Sequence, residues 1–139
     1  MEAKDLMIGD WLQYYDCNLN KQCYAQVTSI QADGPDPFVQ TSDSDVYYLV
    51  EMYKPITLTP EILEKNGFVK RSDRNDKLGK MEYYQFEDYG FVYHYSDGEW
   101  GFNLGNNNPK LRDFSGYLNY VHEMQHVLNI LNIEKEIKL

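Results

Sequence analysis

The sequence predicts an α+β protein: a small curled, barrel-like sheet, then an antiparallel sheet with two helices packed on one face. Three observations carry that expectation. The first fifty or so residues hold four or five short runs rich in aromatic and β-branched residues, cut by glycine and tight-turn residues. Residues 59–67 carry start and stop signals for a helix. An aromatic hairpin around Asp97-Gly98 is followed, over residues 117–131, by the most regular apolar repeat of the chain.

Residues 6–16 read as an opening strand, with Gly9-Asp10 as a bend or bulge. After the turn-forming Asn18 to Lys21, a second strand is expected from Gln22 to Ile30. Asp33-Gly34-Pro35-Asp36-Pro37 breaks the chain, and two more strands follow at Phe38 to Thr41 and Val46 to Tyr53. Short strands joined by tight turns suggest an SH3-like β-barrel or a rolled sheet over residues 1–54. Such folds host many functions.

Residues 55–139 form the expected second half. Pro55 to Leu58 connects it, and Thr59 then caps a short helix with Pro60 at its first position and Gly67 as its stop. Lys65, Lys70, Arg71, Arg74, Lys77 and Lys80 read as a solvated charged loop. With Asp97-Gly98 as a two-residue turn, Tyr95 faces Trp100, Tyr93 faces Phe102 and Phe91 faces Leu104. These six would share one side, a core face for the long helix to cover. Ser115 would cap that helix, and Asn132 would end it. Glu134 to Leu139 then runs back as an edge strand or a loose tail.

In the long helix Tyr117, Tyr120, Val121, Met124, Val127, Leu128 and Leu131 fall in one apolar stripe. His122, Gln125, His126 and Asn129 lie on the opposite, polar face. Amides and imidazoles there, in place of Lys and Glu, suit a face that meets another surface through hydrogen bonds. These four are the expected partner or interdomain surface.

The same segment contains His122-Glu123-x-x-His126, the zinc-protease pattern in which two histidines hold the metal and the glutamate activates water. A third ligand is wanting. The extended motif needs a histidine at 132, where Asn132 stands, and only Glu134 and Glu136 offer carboxylates downstream. On the expected layering His94 points away from both motif histidines. The motif is therefore read as accidental, and no metal, cofactor or catalytic residue is assigned.

The net charge, 13 − 22 = −9, disfavours nucleic acid as a partner, since a phosphate backbone would be repelled. No run is long and apolar enough for a membrane helix, and the first residues lack a basic region followed by an apolar stretch. Residence in the cytoplasm is expected. Cys17 and Cys23 would then be reduced thiols, and their spacing is not that of a zinc site.

Three stretches, Asp5 to Trp11 (DLMIGDW), Pro55 to Phe68 (PITLTPEILEKNGF) and Tyr120 to Gln125 (YVHEMQ), resemble a group of small proteins of gut bacteria and their mobile elements. The resemblance spans both halves and implies no activity, since none is assigned to the group. Its last helix reads Tyr-Val-His-x-Leu-Gln, commonly followed by Asn. His126 stands at that Asn, which makes the second histidine a local variation. The expected function is a non-enzymatic protein-interaction or binding module. Two alternatives are a small zinc-dependent hydrolase using His122, Glu123 and His126, and an acidic mimic of nucleic acid.

Overall fold

The computed structural model describes residues 1–75, 79–95, 98–104 and 114–139. Among them the elements run β1 (Trp11–Asp16), β2 (Lys21–Gln31), β3 (Phe38–Thr41), β4 (Tyr48–Leu49), β5 (Lys54–Pro55), α1 (Pro60–Lys65), β6 (Val69–Asn75), β7 (Gly79–Phe86), β8 (Gly90–His94), β9 (Trp100–Leu104), β10 (Phe114–Tyr117) and α2 (Val121–Ile130). Short 3-10 turns lie at Ala3–Asp5 and Val50–Met52. The protein is α+β, with two antiparallel sheets and two helices among the described residues.

By its contacts the chain forms two units: Met1–Thr57 with Tyr120–Glu134, and Leu58–Asn119 with Lys135–Leu139. This differs from the expected division at residue 54. The first unit is discontinuous in sequence, and α2 belongs to it. α2 groups with the first sheet rather than with the second, and within its unit it contacts β1.

In the first unit the strand order is β4-β3-β2-β1-β5. Laid flat, four inter-strand spacings would set the edge strands roughly 19 Å apart. Only the 3-10 turn and its flanks join β4 to β5, a reach of roughly 13 Å, so the sheet has to curl. A register shift between Val27 and Ser29 bends β2 as it passes from β1 to β3. Inside the curl are Ala3, Leu6, Leu12, Val27, Val39, Val50 and Tyr53.

Two local expectations change here. The opening strand begins at Trp11, because Ala3–Asp5 is a 3-10 turn and Gly9, at φ 95°, turns the chain with its N–H on the Val27 carbonyl at 2.7 Å. The expected strand at Val46 to Tyr53 is only two residues long before the 3-10 turn takes over.

In the second unit five antiparallel strands run β10-β9-β8-β7-β6. The Thr59 hydroxyl caps α1 by accepting from the Ile62 N–H at 3.3 Å. Gly67, at φ 85°, turns the chain so that the Phe68 N–H reaches the Leu63 carbonyl. Phe68 then stacks on Phe86 at 4.7 Å. The tail is held by Asn66, which is fully buried: its amide donates to the carbonyls of Ile62 and Lys138, each at 2.7 Å, and accepts the Lys138 N–H at 2.9 Å. The basic stretch expected as a loop is largely strand, since β6 pairs with β7 from Val69–Gln85 to Asn75–Gly79. Lys77 lies outside the described residues.

The hairpin register is shifted by one residue from the expected one. Val92 faces Phe102 and His94 faces Trp100. Asp97, half of the expected turn, lies outside the described residues. Two bonds close the loop: the Tyr95 N–H donates to the Glu99 carbonyl at 2.8 Å and the Gly98 N–H to the Tyr95 carbonyl at 3.1 Å. Three residues, not two, separate the closing pair, and Gly98 at φ 92° is the left-handed residue such a loop requires. Since side chains alternate, a slip of one exchanges the faces. The core side carries Tyr84, Phe86, Val92, Trp100 and Phe102, all buried, and the other side carries Tyr83, Phe91 and Tyr93.

Candidate functional site

The histidine motif on α2 and the outer face of the second sheet are the two candidate sites. The helix begins at Val121, later than expected, because Ser115 and Tyr117 belong to β10. Val121, Met124 and Leu128 are buried, as the apolar stripe requires. Asn132, at φ 55°, stops the helix, and the Ile133 N–H closes on the Leu128 carbonyl.

Glu123, Gln125 and His126 of this helix are bound within the first unit. The Glu123 carboxylate accepts the Tyr120 N–H at 3.1 Å, which makes it a helix cap. His126 Nε2 lies 2.9–3.0 Å from both carboxylate oxygens of Asp10. Asp10 is itself buried and accepts the Met7 N–H at 2.7 Å. Gln125 works as a clamp: its amide nitrogen donates to the Gly9 carbonyl and its oxygen accepts the Trp11 N–H, both at 2.9 Å. Asp10 thus sits in a three-residue backbone bend whose two flanks are held by one side chain.

His122 is 4% exposed and stacks on Tyr120, with ring planes 7° apart and centroids at 5.8 Å. Burial holds its pKa below the usual histidine value, and Asp10 and Glu123 only partly oppose that effect. Its Nδ1 and the Trp11 Nε1 are buried with no hydrogen-bond partner among the described residues. Asn129 is exposed. Of the four residues expected to form one polar surface, the structure therefore brings Gln125 and His126 onto the Gly9–Trp11 bend, buries His122 and leaves Asn129 in solvent. Among the described residues no three His, Cys, Asp or Glu side chains gather as a metal ion would need.

The second place was hidden by the register. On the outer face of the second sheet the rings of Tyr83, Phe91, Tyr93, Tyr95 and Tyr117 form one chain, with successive centroids 5.4, 6.0, 4.9 and 5.9 Å apart. Gly101 makes this possible. A Cβ there would lie 2.7 Å from the Tyr95 ring and 2.8 Å from the Tyr93 ring, so the missing side chain is what lets both rings lean over the strand. The two phenol hydroxyls meet at 2.9 Å. Tyr95 and Tyr117 are 38% and 65% exposed. The signal was present in the sequence as Phe91, Tyr93 and Tyr95 at a spacing of two, but the two-residue turn assigned them to the core.

No protein-family model matches the chain, and neither does any curated protein or solved structure.

Proposed function

We propose that this protein is a non-enzymatic interaction module that docks a protein partner on the outer face of its second sheet. The chain of five rings carries the reading. Buried sheet faces collect aromatics, whereas a face turned to water spends them only where a partner rewards the contact, and tyrosine is favoured at interfaces because its ring is apolar and its hydroxyl tolerates water. Against a zinc hydrolase, the glutamate that would activate water caps a helix and His126 is committed to Asp10. An SH3-like barrel for the first unit is supported by its strand order and by the 3-10 turn between β4 and β5. A cytoplasmic setting and kinship with small proteins of gut-bacterial mobile elements complete the reading and rest on the sequence.

The test is a photo-crosslinking residue at position 117 in cells that produce the protein. One discrete adduct is expected, lost in a Tyr93→Ser/Tyr95→Ser background whose thermal unfolding matches the wild type. An adduct that persists there places docking elsewhere, and none at all removes the face from consideration.

A further inference from the structure

The first unit carries a groove of about 410 Å³, whose lining includes Tyr14, Tyr15, Tyr48 and Tyr53 together with Asp16 and Asp43. Its parts come from the end of β1, the β1–β2 turn, the loop after β3, β4 and the 3-10 turn. Three of the walls are tied together. The Tyr14 hydroxyl donates to the Asp43 carboxylate, the Thr41 hydroxyl donates to the same carboxylate at 2.7 Å, and the Thr41 and Tyr53 hydroxyls lie 3.1 Å apart. The bond to Asp43 raises the Tyr14 pKa above its ordinary value, so the phenol stays a donor. Asp16 accepts the N–H groups of Asn18 and Leu19 at 2.8 and 3.1 Å. Each carboxylate is thus held by hydrogen bonds, and neither residue is buried, which lowers the ordering cost of binding.

Among the described residues no lysine or arginine lines the groove; Lys21, opposite Asp16 in the β1–β2 ladder, is not among its walls. Phenol faces present negative quadrupoles, and two carboxylates beside them suit a cation that is only partly desolvated. The chain as a whole carries −9. We propose that this groove is a docking site for a protein segment bearing lysine or arginine, with the cationic side chain lying against the tyrosines and paired to Asp16 and Asp43. It belongs to the first unit and is independent of the aromatic face of the second, so either can fail alone.

The probe is a short lysine–glycine peptide titrated into the full chain and followed by amide chemical shifts. Shifts centred on Tyr15, Ser44 and Tyr48 are expected, weakening as salt is raised, with none from the same peptide carrying glutamate for lysine. Asp43→Asn and Tyr48→Ser should each weaken binding about fivefold, whereas Glu87→Gln, an equal charge change in the second unit, should leave it unchanged. A second measurement needs no peptide. Cys17 lines the groove as an exposed free thiol. In a Cys23→Ser background, a trimethylammonium thiosulfonate should outpace its sulfonate analogue by about tenfold more than it does on free cysteine, and Asp43→Asn should remove most of that bias. Peptide shifts spread evenly over the acidic surface, equal weakening by Glu87→Gln, or an unbiased Cys17 would each overturn the proposal.

Discussion

Gln125 shows how one side chain can tie a helix to a bend more than a hundred residues away. Both its polar ends are taken by backbone groups of Gly9 and Trp11, and since the Gly9 carbonyl also accepts from the Gln26 amide, Gln125→Ala leaves the part-buried Trp11 N–H as the group without its partner. A loss of about 1–3 kcal/mol in chemical denaturation is expected. Glu123→Gln keeps an acceptor for the Tyr120 N–H and should cost less than about 0.5 kcal/mol, a contrast that a catalytic glutamate would not show in activity but that a cap must show in stability. His122 adds a dependence on pH. Its folded pKa lies below the ordinary value, so the unfolded chain binds the proton more readily; stability is full above roughly pH 6.5 and falls as the pH drops through the window beneath it, no more steeply than about 1.4 kcal/mol per pH unit. Subtracting the curve of His122→Gln from that of the wild type over pH 5–8 should isolate this slope. A flat difference would mean that the imidazole is not held neutral by burial. The spacing of the two histidines on a helix was legible in the sequence, but their partner Asp10 was not, because it lies 116 positions away and was visible only as part of a bend.

At the scale of the elements, what the sequence revealed depended on whether a signal was local. Thr59, Pro60 and Gly67 set α1 by contacts within the helix and its ends, and the structure keeps all three in the expected roles. The hairpin depended on a single loop length, and the difference between two and three residues moved Phe91 and Tyr93 from the core side to the outer side. Trp100 and Phe102 remain in the core under either register. Trp100, in edge contact with Tyr84 at 5.8 Å, should cost about 3–5 kcal/mol when replaced by alanine, read from the denaturation midpoint. Gly101→Ala tests the outer face separately. The atoms its methyl would meet are the far edges of two partly exposed rings, so the rings should swing aside at a cost of about 1 kcal/mol or less while the near-UV circular dichroism of the tyrosines changes. Unchanged near-UV signal would mean that the rings do not lean on the glycine.

The whole molecule was read as two halves in sequence order, and the structure returns the last helix to the first unit. Amphipathic periodicity tells that α2 buries one face, but not what it is buried against. The partners that decide it, Gly9, Asp10 and Trp11, are single residues in a bend, without a periodic signal of their own. A polypeptide ending at Thr57 lacks the helix that clamps this bend. It should give little cooperative unfolding signal by circular dichroism, and a peptide spanning residues 118–134 added in excess should restore part of it. A fragment 1–57 that melts as sharply as the full chain would show that the curled sheet stands alone. Closing roughly sixty intervening residues between the two parts of the first unit carries an entropic cost on the order of 4 kcal/mol, which the clamp and the buried stripe of α2 have to offset.

The discontinuity of the first unit also sets an order of events during synthesis. A ribosome adding about 5–20 residues per second needs several seconds after Thr57 to deliver residues 120–134. Through that interval the residues of the second unit are already emerging, while Asp10 and the backbone of Gly9 and Trp11 still lack the side chains that will bind them. The unit begun first is therefore completed only after most of the second has been made. Nascent chains arrested before residue 120 should remain sensitive to protease near the Gly9–Trp11 bend, and those arrested far enough past residue 134 to clear the exit tunnel should become resistant there in a single step.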